Sequence, residues 1–188
     1  VTGAARGIGL AVARRFRDEG WSVGLLDIDA PELAKAMAAL DAPERTFALE
    51  CDVAIEAQVA AAVARLDARF GRIDALVNNA GVAVFKPVLE HTAAEWERVI
   101  AVNLTGPFLC TNACAPIMLR GGGGSVVNIA SISGLRATLL RLAYGTSKAG
   151  LIHLTKQQAA ELGAIGIRVN AIAPGPVDTA MAKKVHTP

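Results

Sequence analysis

The feature that most constrains the fold is a regular alternation of short apolar runs with helical stretches. Residues 21–26, 46–50 and 75–77 are short apolar runs, and apolar residues at steps of four, three and four between Val59 and Phe70 mark an intervening helix. Further runs follow at residues 126–129 and 167–173. Strands that alternate with helices in this way predict parallel β–α units with right-handed crossovers.

Local signals set the expected helix ends. Asp29 is placed to cap a helix over residues 31–40, Gly71 to stop the helix that contains Val59, and Thr92 to cap the next one. A long helix is predicted over residues 143–162. A local break is expected at four residues that are poor in helix interiors: Asn103, Thr105, Gly106 and Pro107.

Composition and charge narrow the class of protein. The chain has 188 residues, 53% of them apolar, and a net charge of +2 with its basic residues scattered, so no nucleic-acid surface is expected. No membrane partner is expected either, because no apolar run approaches the roughly 20 residues of a membrane span. The three cysteines match no metal spacing and form no disulfide framework. These observations predict a protein of the reducing cytoplasm that holds no metal.

A glycine-rich turn opens the chain. Gly3, Gly7 and Gly9 are spaced Gly-x3-Gly-x-Gly ahead of a helical stretch, which differs from the commoner Gly-x-Gly-x-x-Gly dinucleotide fingerprint. Such a turn allows a pyrophosphate to approach a helix N-terminus closely. Asp27 lies 18 positions after Gly9, at the end of the apolar run of residues 21–26, roughly the distance at which a carboxylate meets an adenosine ribose. The pattern suggests a dinucleotide site, although the turn alone also fits an ordinary strand–helix connection.

A second group of residues suggests acid–base chemistry. Ser131 lies just past the strand at residues 126–129, and Tyr144 and Lys148 are four apart on the predicted helix, so they share one face. A hydroxyl, a phenol and an ammonium can converge on one oxygen and exchange a proton with it. The Tyr-x3-Lys spacing by itself is also common on solvated helices.

Taken together, these motifs resemble the short-chain dehydrogenase/reductase family over nearly the whole chain. Thr2-Gly3-x3-Gly7-x-Gly9 is similar to the family's cofactor turn, and the Ser131–Tyr144 interval of 13 matches its pattern. Asp52-Val53 resembles its adenine-side motif, and Pro174-Gly175 with Thr179 its nicotinamide-side loop. Asn78-Asn79-Ala80-Gly81 resembles the family's sheet-stabilising motif. The family's catalytic tetrad is matched by Asn103, Ser131, Tyr144 and Lys148.

The resemblance implies a single dinucleotide-binding domain over residues 1–188, with a doubly wound parallel sheet of strand order 3-2-1-4-5-6. It also implies an oxidoreductase that transfers a hydride between a nicotinamide cofactor and a secondary alcohol or ketone. Tyr144 would be the general acid/base, Ser131 would hold the substrate oxygen, and Lys148 would bind the nicotinamide ribose. Asn103, through the broken helix, would hold a water that links Lys148 to solvent.

The cofactor contacts carried over from the family span most of the chain. NAD(H) is expected rather than NADP(H), because Asp27 would bind a ribose 2′-hydroxyl and repel a 2′-phosphate, although Arg6 could attract that phosphate. The expected cofactor-binding residues are Gly3, Arg6, Gly7, Ile8, Gly9, Asp27, Ile28, Asp52, Val53, Asn79, Ala80, Gly81, Tyr144, Lys148, Pro174, Gly175, Val177 and Thr179.

Two alternative functions remain open at this point. A nucleotide-sugar epimerase or dehydratase uses the same Tyr and Lys, but carries a different glycine turn and a long C-terminal substrate domain. A non-catalytic dinucleotide-binding sensor or scaffold would be favoured by the loss of a tetrad member, and none is lost. By analogy a homodimer or homotetramer is expected, formed through the helices that carry Asn103 and Tyr144. Arg136 and Arg141, between Ser131 and Tyr144, are either solvated or placed to meet an anionic substrate.

The two ends of the chain suggest a piece of a longer protein. Only Val1 and Thr2 precede the glycine turn, where a complete fold has its central strand. Residues 176–188 resemble the start of a substrate-covering segment without its closing helix and final strand. The expectation is therefore a stub of at most two residues in the central position and no seventh strand.

Overall fold

The computed structural model describes residues 1–178, in which strands and helices alternate. The strands are β1 (Val23–Asp27), β2 (Thr46–Glu50), β3 (Ala75–Asn78), β4 (Gly124–Ile129) and β5 (Ile167–Ile172). The helices are α1 (Gly7–Asp18), α2 (Ala30–Leu40), α3 (Glu56–Phe70), α4 (Ala93–Ile100), α5 (Gly106–Arg120) and α6 (Leu142–Leu162). The α/β class and the predicted element order are confirmed.

The strands pair in parallel around a central two-residue stub. β1 pairs with β2, and β4 lies between β3 and β5. Val1 and Thr2 join the two groups, because the Leu26 N–H donates to the Val1 carbonyl and the Thr2 N–H donates to the Val77 carbonyl, both at 3.0 Å. With this stub counted as the first strand, the order is 3-2-1-4-5-6, as predicted.

The central position holds no more than this stub, and no strand follows β5 within residues 1–178. The Val1 amine donates to the Gly24 carbonyl at 2.9 Å. Beside it, between β1 and β3, lies a cavity of about 300 Å³ whose walls include Leu26, Leu76 and the thiols of Cys110 and Cys114. Both expectations about the sheet therefore agree with the described residues.

Helices pack on both faces of the sheet. α5 packs on β3 and β4, α6 on β4 and β5, and α3 on β2 and α5, whereas α1 packs on β1 and α2, and α2 on β1 and β2. Two buried apolar clusters result, one around Val126 and Met118 and one around Leu25 and Leu40. Burial of these side chains, at roughly 25 cal/mol per Å² of apolar surface, is the main stabilising term. This arrangement leaves the carboxyl ends of the strands open.

The predicted helix ends are found where the sequence placed them. The Asp29 carboxylate accepts from the Glu32 N–H at 3.2 Å, so it caps α2. Gly71 ends α3 with a φ of +73°, a conformation that glycine adopts readily. At the start of α4, Thr92 and Glu95 form a reciprocal capping box.

The predicted break between α4 and α5 is a π-helical turn instead. Residues Ala101–Thr105 form the turn, and the backbone stays helical from Ala93 to Arg120. The Gly106 N–H donates to the Ala101 carbonyl, five residues back. Residues that are unfavourable in a helix interior therefore lie in a locally wider turn and do not end the helix. A π turn of this kind accommodates an additional residue within the helix.

The combined helix at Ala93–Arg120 is long and apolar enough to cross a membrane by length and composition alone, with a mean hydropathy of 1.2. Its apolar side chains have partners within the fold, because α5 packs against α3 and against the sheet. Cys110, Cys114 and Met118 lie in the buried core there. The helix is therefore a core element of the α/β fold.

Candidate active site and cofactor cleft

The carboxyl ends of the parallel strands carry most of the predicted site residues. Asp27 ends β1, Asn79 follows β3, and Ser131 follows β4. Because the sheet is parallel, these ends lie along one edge, where ligands of doubly wound folds bind. Helix α6 brings Tyr144 and Lys148 to the same edge. One cleft therefore unites residues that are more than a hundred positions apart in sequence.

The glycine turn is too tightly packed for other side chains. A Cβ on Gly9 would lie 2.1 Å from the Gly3 carbonyl oxygen, and Gly3 itself has a φ of +62°. Gly7, with a φ of +57°, begins α1, and Ile8 follows in the first turn. No side chain caps α1 and no acid lies in its first turn, so its N–H groups are available to an anion.

Thr2 and Asn79 hold this turn against the sheet. The Thr2 hydroxyl oxygen accepts from the N–H groups of Asn79 and Ala80, both at 3.0 Å. The Asn79 side-chain amide donates to the carbonyls of Thr2 and Gly3 at 3.0 Å each. The Asn79 side chain is thus engaged with the turn and fixes its shape.

Asp27 is a buried carboxylate with acceptor capacity to spare. It accepts from the Ala5 N–H at 3.0 Å and from the Asp29 N–H at 3.1 Å. A carboxylate offers about four acceptor positions, so roughly two remain for ribose hydroxyls. Ile28 next to it is 54% exposed and presents an apolar surface at the mouth of the cleft. The pair is suited to an adenosine.

Arg6 is engaged by Asp29. The guanidinium forms an ion pair at 2.8 Å with the Asp29 carboxylate, which also caps α2. The Glu32 N–H and then the Arg6 guanidinium lower the pKa of the Asp29 carboxyl below its ordinary value. The sequence predicted opposing effects of Arg6 and Asp27 on a 2′-phosphate. The ion pair adds a third residue, Asp29, that affects whether Arg6 can bind such a phosphate.

Asp52 and Val53 lie where β2 leads into α3. Asp52 accepts from the Ala54 N–H at 3.0 Å and pairs with Arg98 of α4 at 3.0 Å. Val53 is buried, and a Cβ on Gly106 would lie 2.9 Å from its methyl group. The two residues tie the β2–α3 loop to the α4–α5 helix, which positions the loop beside the cleft.

Among residues 1–178, the Ser131 hydroxyl hydrogen has no acceptor. Its oxygen accepts from the Ser133 N–H at 3.1 Å and caps the short 3₁₀ turn Ile132–Gly134. A serine hydroxyl is one donor and two acceptor sites, so the O–H remains able to donate to a substrate oxygen. The next N–H, that of Ile132, donates to the Pro174 carbonyl at 3.1 Å.

Tyr144 is half-buried in the first turn of α6. Its ring lies 6.2 Å from the Phe85 ring, centroid to centroid, at an interplanar angle of 51°. The Lys148 Nζ is 5.8 Å from the centre of the Tyr144 ring. Among residues 1–178, nothing hydrogen-bonds the Tyr144 hydroxyl, so the phenol is available to a substrate.

Lys148 is a buried cation with donors to spare. It is 4% exposed, and its Nζ donates to the Ile129 carbonyl at 2.7 Å. Burial lowers the pKa of this ammonium to about 8, so the group is still charged at neutral pH. Two of its three N–H donors remain for a ribose hydroxyl and a water.

Gly81 lies between Lys148 and Asn103. A Cβ built on Gly81 would be 3.6 Å from the Lys148 Nζ and 3.4 Å from the Asn103 Oδ1. Asn103 is fully buried; its Oδ1 accepts from the Val82 N–H at 2.8 Å, and its Nδ2 donates to the Val82 carbonyl and the Ser147 Oγ. The Asn103 side chain therefore clamps the loop after β3.

The predicted nicotinamide-side loop is described only in part. Pro174, Gly175 and Val177 follow β5 without regular structure, and the Pro174 carbonyl meets the loop that carries Ser131. Thr179 and the helix expected from residue 178 lie outside the described residues. The structure thus brings the start of this loop to the cleft.

Several residues that shape the site escaped sequence reasoning. Ser133 supports Ser131, Ser147 supports Asn103, and Phe85 lies against Tyr144. A Cβ on Gly134 would lie 2.6 Å from the Lys148 carbonyl carbon, so the Ser131 loop and α6 touch through their backbones there. The glycine within the Ser–Tyr interval was an available signal, whereas the Ser147–Asn103 and Phe85–Tyr144 contacts join distant segments.

The described residues fit a nicotinamide dinucleotide. The uncapped N-terminus of α1 suits a pyrophosphate, and Asp27 suits a ribose. The absence of a side chain at Gly81, next to the Lys148 ammonium, leaves room for the second ribose. A buried ammonium whose partner is a single carbonyl is otherwise a cost to the fold, so its presence here favours a ligand-binding role.

Comparison with known proteins agrees with this geometry. The family model described as "short chain dehydrogenase" matches residues 1–188. D-threitol dehydrogenase of Mycolicibacterium smegmatis is 42% identical over 186 residues, which are 98% of this chain and 71% of that protein. Levodione reductase of Leifsonia aquatica is 40% identical over 97% of this chain and 70% of its own length.

Solved structures show the same fold. A crystal structure of levodione reductase superposes with a TM-score of 0.93 at 40% identity and covers 98% of this chain and 73% of the solved chain. A crystal structure of NAD⁺-bound xylitol dehydrogenase superposes with a TM-score of 0.89 at 39% identity, over 93% and 68% of the two chains. From its sequence, its fold and the arrangement of its cleft, this chain belongs to the short-chain dehydrogenase family of oxidoreductases.

Proposed function

We propose that this protein interconverts a secondary alcohol and a ketone with a nicotinamide cofactor, with Tyr144 as the general acid/base. The observation that carries the proposal is the convergence of the Ser131 hydroxyl, the Tyr144 phenol and the Lys148 ammonium on one edge of the sheet. Similarity to relatives named for threitol, xylitol and levodione supports this substrate class.

The bound nicotinamide supplies the hydride acceptor or donor. Ser131 donates a hydrogen bond to the carbinol or carbonyl oxygen and fixes the substrate beside Tyr144. Tyr144 removes the hydroxyl proton during oxidation and returns it during reduction. The Lys148 Nζ, 5.8 Å from the centre of the Tyr144 ring, places a positive charge next to the phenol.

The remaining residues hold the cofactor and keep the site rigid. The N-terminus of α1 and the glycine turn receive the pyrophosphate, with Asn79 and Thr2 fixing the shape of the turn. Asn103 holds Val82 and so the loop beside Lys148. These roles predict that cofactor binding and proton transfer can be separated by mutation.

The test of this function is Tyr144→Phe, which removes the phenol oxygen and keeps the ring that packs on Phe85. Loss of a general acid/base lowers the rate by about 10² to 10⁴. We expect turnover to fall by that amount while NAD⁺ affinity, measured by calorimetry, changes little. A variant that keeps more than a tenth of wild-type activity would show that another group moves the proton.

We further propose that the protein prefers NAD(H) to NADP(H). Asp27 accepts ribose hydroxyls and repels a 2′-phosphate, and Arg6 is already paired with Asp29. A 2′-phosphate would therefore lie against the Asp27 carboxylate. It could bind Arg6 only by breaking the Arg6–Asp29 ion pair. NAD-bound xylitol dehydrogenase among the similar structures supports the same choice.

The cofactor preference is tested with Asp29→Asn, since asparagine caps a helix as well as aspartate does. The wild-type protein should have the higher kcat/KM with NAD⁺. Asp29→Asn should free Arg6, so that adenosine 2′,5′-bisphosphate binds several-fold more tightly in calorimetry, and an added Arg6→Met change should cancel the gain. A wild-type kcat/KM that favours NADP⁺ would contradict the proposal.

A further inference from the structure

Arg141 lies at the substrate side of the cleft and is fixed there by two neutral partners. It is the residue before α6, three positions ahead of Tyr144, and it is half-buried. Its guanidinium carbon is 5.4 Å from the centre of the Phe85 ring, and its Nη1 donates to the Ser133 Oγ at 3.3 Å. Stacking on an aromatic ring restrains the guanidinium plane.

Both partners of Arg141 belong to the site. Phe85 lies 6.2 Å from the Tyr144 ring, and the Ser133 N–H supports Ser131. The distance from the Arg141 guanidinium carbon to the centre of the Tyr144 ring is therefore at most the sum of these two separations, 5.4 Å and 6.2 Å. A substrate whose oxygen lies between Ser131 and Tyr144 extends toward this guanidinium if it leaves the cleft on the Phe85 side.

Among residues 1–178, the Arg141 guanidinium has no carboxylate within ion-pair distance, whereas the guanidinium of Arg6, the arginine of the glycine turn, is paired with Asp29. The single hydrogen bond to Ser133 uses one of its five N–H donors. The remaining donors of Arg141, whose guanidinium lies beside Phe85 and Ser133, thus have no anionic partner among residues 1–178.

The surrounding segments carry positive charge. Residues 131–148 contain three basic residues and no acidic one, whereas residues 79–90 contain one of each, Lys86 and Glu90. Lys86 is itself paired with Glu95 at 2.6 Å, so that carboxylate is already engaged. The field at this rim favours an anion over a neutral or cationic group.

We propose that Arg141 forms an anion subsite that binds a carboxylate on the substrate. This inference rests on the proposed function and narrows it: the preferred substrate is a hydroxy acid, or the corresponding oxo acid, with its carboxylate a few bonds from the reacting carbon. A planar guanidinium matches a carboxylate with two parallel hydrogen bonds, which gives orientation as well as affinity.

The first experiment compares matched substrates with the NAD⁺-loaded enzyme. The panel contains secondary hydroxy acids of graded length, their carboxamides, and a neutral polyol. We expect the best acid to exceed its carboxamide in kcat/KM by tenfold or more. Arg141→Met should lower kcat/KM for the acid at least tenfold more than for the carboxamide, and Arg141→Lys should restore part of the difference.

Arg136→Met is the matched control, because it removes the same charge from an exposed residue of the same segment. It should leave the ratio of acid to carboxamide unchanged. Equal use of acids and carboxamides by the wild-type enzyme, or an equal loss for both in Arg141→Met, would overturn the anion subsite and leave the proposed oxidoreductase function intact.

A binding measurement separates the subsite from catalysis. Cyclohexanecarboxylate and cyclohexanecarboxamide are titrated into the NAD⁺-loaded protein by calorimetry. The carboxylate should bind at least tenfold more tightly, and Arg141→Lys should retain more of this difference than Arg141→Met. Failure of every alcohol to react would contradict the proposed function, while this titration would still decide the subsite, which equal binding of the two compounds would refute.

Discussion

At the scale of a single side chain, Lys148 shows that a functional residue can lower the stability of the fold. The ammonium is buried, and its one hydrogen-bond partner within residues 1–178 is the uncharged Ile129 carbonyl. Burial lowers its pKa from an ordinary 10.5 to about 8. The fold therefore tolerates a desolvated charge at neutral pH, a feature common at catalytic sites.

A pH dependence of stability follows. Between pH 8 and 10.5 the unfolded chain holds more protons on this group than the folded chain, so the Lys148 contribution to the free energy of unfolding rises with pH. At 1.36 kcal/mol per unit, the full change is roughly 3 kcal/mol. Lys148→Met removes this contribution, so the wild type should gain stability relative to the variant from pH 7 to pH 10 in urea unfolding.

Subtracting the unfolding free energy of Lys148→Met from that of the wild type removes the contribution of every group that titrates in both proteins. The variant therefore serves as the reference. Parallel stability curves for wild type and Lys148→Met across that range would show that the ammonium is not desolvated in the folded protein. A difference that changes in the opposite direction would mean that an anion stabilises the charged form.

At the scale of elements, the site depends on how closely the Ser131 loop approaches α6. Gly134 touches the Lys148 backbone, and a Cβ on Gly145 would lie 3.1 Å from the Ser133 carbonyl oxygen. The two glycines allow the loop and the helix to meet without intervening side chains. This contact sets the position of Ser131 relative to Tyr144.

Gly134→Ala should separate the loop from the helix, because the new Cβ would lie 2.6 Å from a backbone carbon. Overpacking of this kind costs about 1 to 3 kcal/mol. We expect a lower melting temperature and a lower kcat, with NAD⁺ affinity nearly unchanged. Gly163→Ala is the control, because a Cβ there meets nothing within 4 Å. Similar behaviour of the two variants would mean that the contact does not position Ser131.

The elements that local patterns specify were predictable, and the contacts between them were not. The strand Thr46–Glu50 was placed correctly because its ends are marked in sequence, and the Asp29 cap likewise. Asn103 was expected in a broken helix, but poor helix residues do not tell whether a helix ends or widens into a π turn. The Asp29–Arg6 ion pair joins residues 23 positions apart, beyond the reach of periodicity.

At the scale of the whole molecule, the outer surface of the helices that carry the site is apolar in places. Phe108 and Leu119 on α5 and Trp96 on α4 are each about 40% exposed. Contiguous exposed apolar surface marks association sites, and these side chains supply apolar area to such a surface. We propose a homodimer or homotetramer through these helices, as the family resemblance also implies.

Phe108→Asp should therefore weaken or abolish association, since a carboxylate would be buried without a partner at the interface. Ile55→Asp, at an exposed apolar residue before α3, is the control. Light scattering coupled to gel filtration should give a smaller mass for Phe108→Asp than for wild type and Ile55→Asp. A monomeric wild-type protein at micromolar concentration would contradict the expectation.

The π turn at Ala101–Thr105 limits how the length of this chain can change. Each residue of an α-helix advances the chain by about 100° around the helix axis, at 3.6 residues per turn. Deleting one residue within an α-helical stretch of α4 would therefore rotate α5 relative to the start of the helix, and Gly106 would leave its contact with Val53. Deleting one residue within the π turn would instead convert its i+5 hydrogen bonding to the i+4 pattern of an α-helix, and α5 would keep nearly its present rotation. Between Thr92 and the buried Cys110, the turn therefore tolerates the loss of one residue better than the α-helical turns on either side of it.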